Sequence, residues 1–194
     1  MHKQLSRLLI HKHRGYYLKY IALIYQIEVR SIVEIGVFQG KHAEVLRKEF
    51  PEAHLYLIDP WAPSPCYIES RTAISKTEAV YTHAFNRVKD LFEQDPQVSI
   101  LRKTALEGAA DISTPLDLVF IDANHDYDHV KETILAWKDK VRPGGILAGH
   151  NYGRKRLPGV KQAVDELFKD TFILGQDEVW LHIKKRRTEE DSNL

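Results

Sequence analysis

At 194 residues the chain is long enough for one well-packed domain and short for two. A hydrophobic share of 43%, a charged share of 28% and a formal net charge of +1 exclude a polar disordered chain and leave no global field to draw nucleic acid or an anionic membrane. A single cysteine, Cys66, excludes an internal disulfide and fits a reducing cytoplasm; no secretory leader is expected, and no run approaches the roughly 18 apolar residues of a membrane span.

In chain order, Tyr17, Tyr20, Ile21, Ile24 and Tyr25 recur at helical spacing and predict a leading helix within a helical extension over residues 1–30. Its apolar side would serve a homodimer contact. Ser31 to Gly36 reads as a buried strand ending in glycine, followed by a helix from about Gly40 to Phe50. Leu55 to Asp59 is a second strand, stopped by Pro60. The polar, proline-bearing stretch from Trp61 to Thr77 is long for a connection and reads as a functional loop, with Tyr67, Arg71 and Lys76 placed to close over a ligand. Ala84, Val88, Leu91 and Phe92 mark a helix, and Val98 to Leu101 a third strand.

Leu116 to Asp122 is almost continuously apolar, as a central parallel strand covered on both faces should be. Val130, Ile134, Trp137 and Val141 share a helical face. Arg142-Pro143-Gly144-Gly145 reads as a turn before a fifth strand, Ile146 to Gly149. A last helix carries Val160, Ala163, Val164, Leu167 and Phe168. Two short strands, Phe172 to Leu174 and Val179 to Ile183, then form a hairpin, and residues 184–194 make a charged tail. Alternating strands and helices over 31–183 predict an α/β fold: a doubly wound parallel sheet with right-handed crossovers. Ligands of such sheets sit beyond the carboxyl ends of the strands. Gly36, Asp59, Thr104, Asp122 and His150 all fall at those ends.

The loop Glu34-Ile35-Gly36-Val37-Phe38-Gln39-Gly40 follows the first strand and opens a helix. A phosphate-binding P-loop is excluded, because it would need glycine at Ile35 and a hydroxyl residue at His42. A dinucleotide fingerprint starting at Gly36 would put Phe38 where the backbone meets pyrophosphate, which argues against a nicotinamide-dependent oxidoreductase. S-adenosylmethionine carries no phosphate, and its positive sulfonium suits an acidic Glu34 beside the loop. Asp59, about 20 residues further on, is placed for charge-assisted hydrogen bonds to ribose hydroxyls. A fold without turnover, used only for binding, is the non-enzyme alternative.

The segments VEIGVFQGKHAEVL and LYLIDPW resemble the first motif and the following acidic motif of class I S-adenosylmethionine-dependent methyltransferases. FIDANHDYDHV, VRPGGILAGHNY and GVKQAVDEL resemble the methyltransferase domain 24 family, which includes relatives of the catechol O-methyltransferase type. The resemblance spans Ser31 to Ile183. It implies a Rossmann-like sheet with strand order 3-2-1-4-5-7-6, strand 7 antiparallel. It further implies that Glu34, Gly36, Val37 and Gly40 flank the methionine part of S-adenosylmethionine. Asp59 would then hold the ribose, Thr104 and Ala105 lie by the adenine, and Asp122 sit under the reacting methyl group.

Methyl transfer to a hydroxyl needs alignment and a base. Asp122, His125 and His150 are the candidates for it. Catechol-type relatives place a divalent ion on a carboxylate after strand 4 and an Asp-Asn or Asp-Asp pair after strand 5; the matching positions here are Asp122, His150 and Asn151. His150 replaces a carboxylate, which weakens a magnesium site and suits manganese, iron or zinc better. His11 and His13 read as a solvated segment. The expected partner is a small-molecule acceptor.

Overall fold

The computed structural model describes residues 12–63, 77–113 and 115–186. The elements alternate as the sequence pattern predicts: α1 (Arg14–Ile24), β1 (Ser31–Ile35), α2 (Lys41–Glu49), β2 (His54–Ile58), α3 (Glu78–Phe92), β3 (Val98–Leu101), α4 (Ala105–Asp111), β4 (Leu116–Ile121), α5 (Tyr127–Lys138), β5 (Val141–Gly149), α6 (Pro158–Phe168), β6 (Ile173–Leu174) and β7 (Trp180–Ile183). The sheet order is β3-β2-β1-β4-β5-β7-β6. β1 to β5 run parallel, and β7 lies antiparallel between β5 and β6.

Period-2 alternation builds two cores from one sheet. Leu118 and Phe120 of β4 point to the face covered by α1, α2 and α3, where Leu18, Leu46 and Val88 are fully buried. Val119 and Ile121 point to the other face, under Ile134 and Trp137 of α5 and Ala163 of α6. Every residue of β4 is buried, which is why its sequence lacks polar alternation. Each fully buried aliphatic side chain of this kind contributes about 1.5–3 kcal/mol.

The leading helix is part of this packing. Tyr17, Leu18, Ile21 and Ala22 are buried in the first core, so most of the apolar side read as a dimer contact is covered by the protein itself; Ile24 and Tyr25 remain exposed. Three other local readings change. Arg142-Pro143-Gly144-Gly145 is the irregular opening of β5, with a register shift against Leu116 and Leu118, because Gly144 donates to the Lys184 carbonyl instead of closing a turn. Trp61 is fully buried, its indole donating to the Phe38 carbonyl at 2.7 Å. It therefore anchors the chain after β2 and does not begin a loop free to move; Cys66, Tyr67, Arg71 and Lys76 lie outside the described residues. His13 is half-buried against the His42 ring, at 5.5 Å between centroids, and His11 lies outside the described residues. Among the described residues no helix is long and apolar enough to cross a membrane.

Candidate active site

The carboxyl ends of the central strands are tied to one another. Gly36 N donates to Ile58 O, Asp122 N to Ile35 O and His150 N to Ile121 O, at 2.8, 2.8 and 3.1 Å. Three residues far apart in sequence are thereby fixed along one edge of the sheet. Gly36 has φ +88°, and a Cβ built on it would lie 2.2 Å from the Asp122 carbonyl oxygen. The glycine is needed so that the first loop and the end of β4 can touch.

Asp59 shapes that loop from the end of β2. Its Oδ2 accepts from Phe38 N at 2.9 Å and its Oδ1 from Trp61 N at 2.7 Å. Burial pushes its carboxyl up, against the pull of the Phe38, Trp61 and Val37 amides. Each carboxylate oxygen has a second lone pair, so the two backbone bonds leave capacity for hydroxyl donors. On the next strand end, Thr104 caps α4, accepting from Glu107 N, while Glu107 reaches back to Thr104 N. The Ala105 carbonyl accepts from the Trp137 indole at 3.0 Å.

The beginning of α2 closes the other side. Glu34 and His42 are both buried, with Oε1 and Nδ1 3.4 Å apart. Burial pushes Glu34 well above the usual carboxylate range and His42 well below the usual imidazole range. Glu34 Oε2 is buried with no hydrogen-bond partner among the described residues. Such an acceptor costs about 1–3 kcal/mol when left unmet.

Asp122 is the electrostatic centre. Arg14 Nη2 donates to its Oδ2 at 2.9 Å. His150 Nδ1 lies 3.4 Å from the same oxygen, and His125 Nε2 lies 3.5 Å from Oδ1. Burial alone would raise this carboxyl; the two imidazoles and the guanidinium outweigh it and hold it well below the usual carboxylate range. Asp122 is therefore a fixed anion and a poor proton acceptor. Asp177, in the turn between β6 and β7, completes the cluster at 3.6 Å from Arg14 Nη1 and 3.7 Å from His150 Nε2. Asn151 is buried beside it, with φ +64°. Its amide is satisfied at both ends when the nitrogen faces His125 Nε2 at 2.7 Å, Asp122 Oδ1 at 3.2 Å and His150 Nδ1 at 3.3 Å, and the oxygen accepts from Arg154 Nη1 at 3.0 Å.

All the sequence-derived candidates at the ends of β1, β4 and β5 thus meet: Glu34 and Gly36 beside Asp122, and Asp122 beside His125, His150 and Asn151. Arg14 and Asp177 are the residues that sequence reasoning missed. A divalent ion does not fit this donor set as it stands, because the Asp122 oxygen it would share already holds Arg14. Among the described residues, no group of three or more His, Cys, Asp or Glu has the arrangement to hold a metal ion.

Residues 33–152 match the methyltransferase domain family. No curated protein matches the chain. Among solved structures, the O-methyltransferase NovP superposes with a TM-score of 0.63 at 18% identity, over 89% of this chain and 80% of that one. An O-methyltransferase from Bacillus cereus in complex with SAH gives 0.57 at 17% identity, over 94% and 91%. The N-methyltransferase NodS from Bradyrhizobium japonicum WM9 gives 0.59 at 19% identity, over 90% and 95%. The fold is common to all three, so it does not choose between an oxygen and a nitrogen acceptor.

Proposed function

Because the chain belongs to the methyltransferase domain family, we propose that it transfers a methyl group from S-adenosylmethionine to a hydroxyl oxygen of a small-molecule acceptor in the cytoplasm. When bound, S-adenosylmethionine supplies an electrophilic methyl group on a positively charged sulfur and leaves as S-adenosylhomocysteine.

The fit of that group rests on Glu34 Oε2, a buried oxygen without a hydrogen-bond partner among the described residues, two residues before Gly36. Glu34, Gly36, Val37 and Gly40 would flank its methionine part. Asp59 would accept from the ribose hydroxyls while its other lone pairs keep Phe38 and Trp61 in place. Thr104 and Ala105 would border the adenine.

The single observation that carries the choice of a hydroxyl acceptor is the pairing of Asp122 with His150. His150 stands between two carboxylates, with Asp122 3.4 Å from Nδ1 and Asp177 3.7 Å from Nε2, and Nε2 is buried with no hydrogen-bond partner among the described residues. An imidazole held between carboxylates, with a nitrogen that makes no hydrogen bond, suits a general base, because the carboxylates favour its protonated form. His150 would take and hold the hydroxyl proton at Nε2 while the bound cofactor supplied the methyl group. Asp122 stabilises the imidazolium that results. His125 flanks the same carboxylate and positions it.

Calorimetry with S-adenosylmethionine and S-adenosylhomocysteine tests the first half; no heat from either at millimolar concentration refutes it. His150→Ala tests the second. Methyl transfer should collapse and lose its dependence on an imidazole pKa, while cofactor affinity stays within about threefold of the parent, less than the loss of one hydrogen bond to a charged group.

A further inference from the structure

Arg14 meets Asp122, one of the residues on which the resemblance to catechol-type relatives would place a divalent ion. We infer that its guanidinium supplies the fixed positive charge at the acceptor end of this crevice and takes the place of a metal there; the inference rests on the methyl-transfer reading above.

Four observations converge on it. The guanidinium meets two carboxylates from separate parts of the fold, Asp122 after β4 at 2.9 Å and Asp177 between β6 and β7 at 3.6 Å. That is convergence of the kind a cation site requires, made around a side chain. Second, it shares Asp122 Oδ2 with His150 Nδ1, so the base and the cation are set by the same oxygen. Third, Arg14 Nε is buried with no hydrogen-bond partner among the described residues, which leaves a donor for an oxygen that gains negative charge. Fourth, Arg14 opens α1, where its charge faces the positive end of the helix dipole. Local preference is violated at a position where the two carboxylates, with the Phe120 ring 5.8 Å from the guanidinium carbon, explain the arginine.

A dication at Asp122 would have to break the Arg14 bond and then sit beside a guanidinium that cannot lose its proton. Arg14 is a single charge with directed donors, and it does not chelate. An acceptor therefore needs one ionising hydroxyl and not a neighbouring pair of oxygens, which separates this site from one built for catechol-like diols.

The test uses Mn²⁺ alone as the probe, titrated into EDTA-stripped protein and followed by the electron paramagnetic resonance of the free ion. The unmodified protein should show no site at millimolar Mn²⁺. Arg14→Ala should bind Mn²⁺ about 10–150-fold more tightly, the factor freed by one charge-assisted hydrogen bond, and Arg14→Ala/Asp122→Asn should lose that gain. Arg14→Lys should stay as weak as the parent. A tight site in the unmodified protein that Asp122→Asn abolishes overturns the inference. So does a folded Arg14→Ala that binds no better than the parent. Should Arg14→Ala fail to fold, Arg14→Gln takes its place and the same two results decide. Ion binding is read without turnover, so its outcome is separable from failure of the methyl-transfer reading, which calorimetry with S-adenosylmethionine decides.

Discussion

β4 carries an aspartate at each end, and each meets an arginine, yet the two ends are built differently. Asp117 accepts from Arg30 N, Ser31 N and Ser31 Oγ, all at 2.9 Å, and from Arg142 Nε, while Ser31 Oγ accepts from Asp117 N. Burial would raise its carboxyl, and the Arg142 and Ser31 donors bring it below the ordinary range. Asp122 is also held down, but around it Arg14 Nε, His150 Nε2, Glu34 Oε2 and both His42 nitrogens are buried without hydrogen-bond partners among the described residues. Buried polar groups are almost always paired. One end of the strand spends its polar groups on holding three strands together; the other keeps polar capacity in reserve, as a site for a ligand must.

The largest expected difference between the ends is in turnover. Asp122→Asn should lower kcat by about a thousandfold, because the imidazole loses a carboxylate that favours its protonated form. Asp117→Ala should leave kcat per folded molecule unchanged and cost about 3 kcal/mol in denaturant unfolding. A loss below tenfold for the first, or a kcat loss for the second, erases the contrast. Next comes Asp59→Ala, which should weaken cofactor binding by about 1.5–3 kcal/mol in calorimetry; unchanged affinity removes its ribose role. Gly36→Ala should destabilise by about 2–3 kcal/mol and displace the Asp122 backbone it would strike. If the melting temperature holds, the close approach is not rigid.

The smallest effect is in acid. Burial, with His42 and Arg14 nearby, pushes His13 down to about 4, against a weaker upward pull from Asp177. His150 also lowers it. The unfolded chain binds a proton near the ordinary value of 6.5 that the folded chain refuses until about 4. The His13 contribution therefore falls as pH drops through that window, and His42, shifted the same way, adds to it, while the raised carboxyls of Glu34 and Asp59 act in the opposite sense. The His13 part is isolated by comparison: the melting temperature of the parent should decline toward acid by a few degrees more than that of His13→Gln. Parallel profiles of the two would show that His13 is solvated.

The alternation of strands and helices was legible because period-2 and helical spacing are local signals and β4 is apolar but for Asp117, whereas the strand order followed from the resemblance to the methyltransferase family. Asp122, His125, His150 and Asn151 were legible as neighbours because strand ends of a parallel sheet converge. Arg14 and Asp177 were not. They lie on a helix and a hairpin turn whose positions depend on packing across the whole sheet, and arginine before an apolar helix has no distinguishing pattern. Its one sequence-level hint was a cation at a helix start, where a carboxylate is favoured. The RPGG opening of β5 misled because its glycine and proline are turn residues, while the strand pairing that recruits them is made with residues distant in sequence.

The Arg14 amide donates to an Asp177 carboxylate 163 positions later in the chain. Helix α1 and the β6–β7 turn are thus stitched across the crevice, and β7 is inserted between β5 and β6. During synthesis the sheet from β1 to β5 can form before that stitch exists, with Asp122 lacking half of its surroundings. A chain cut before Asp177 would lack both the carboxylate that faces Arg14 and His150 and the strand that covers the edge of β5.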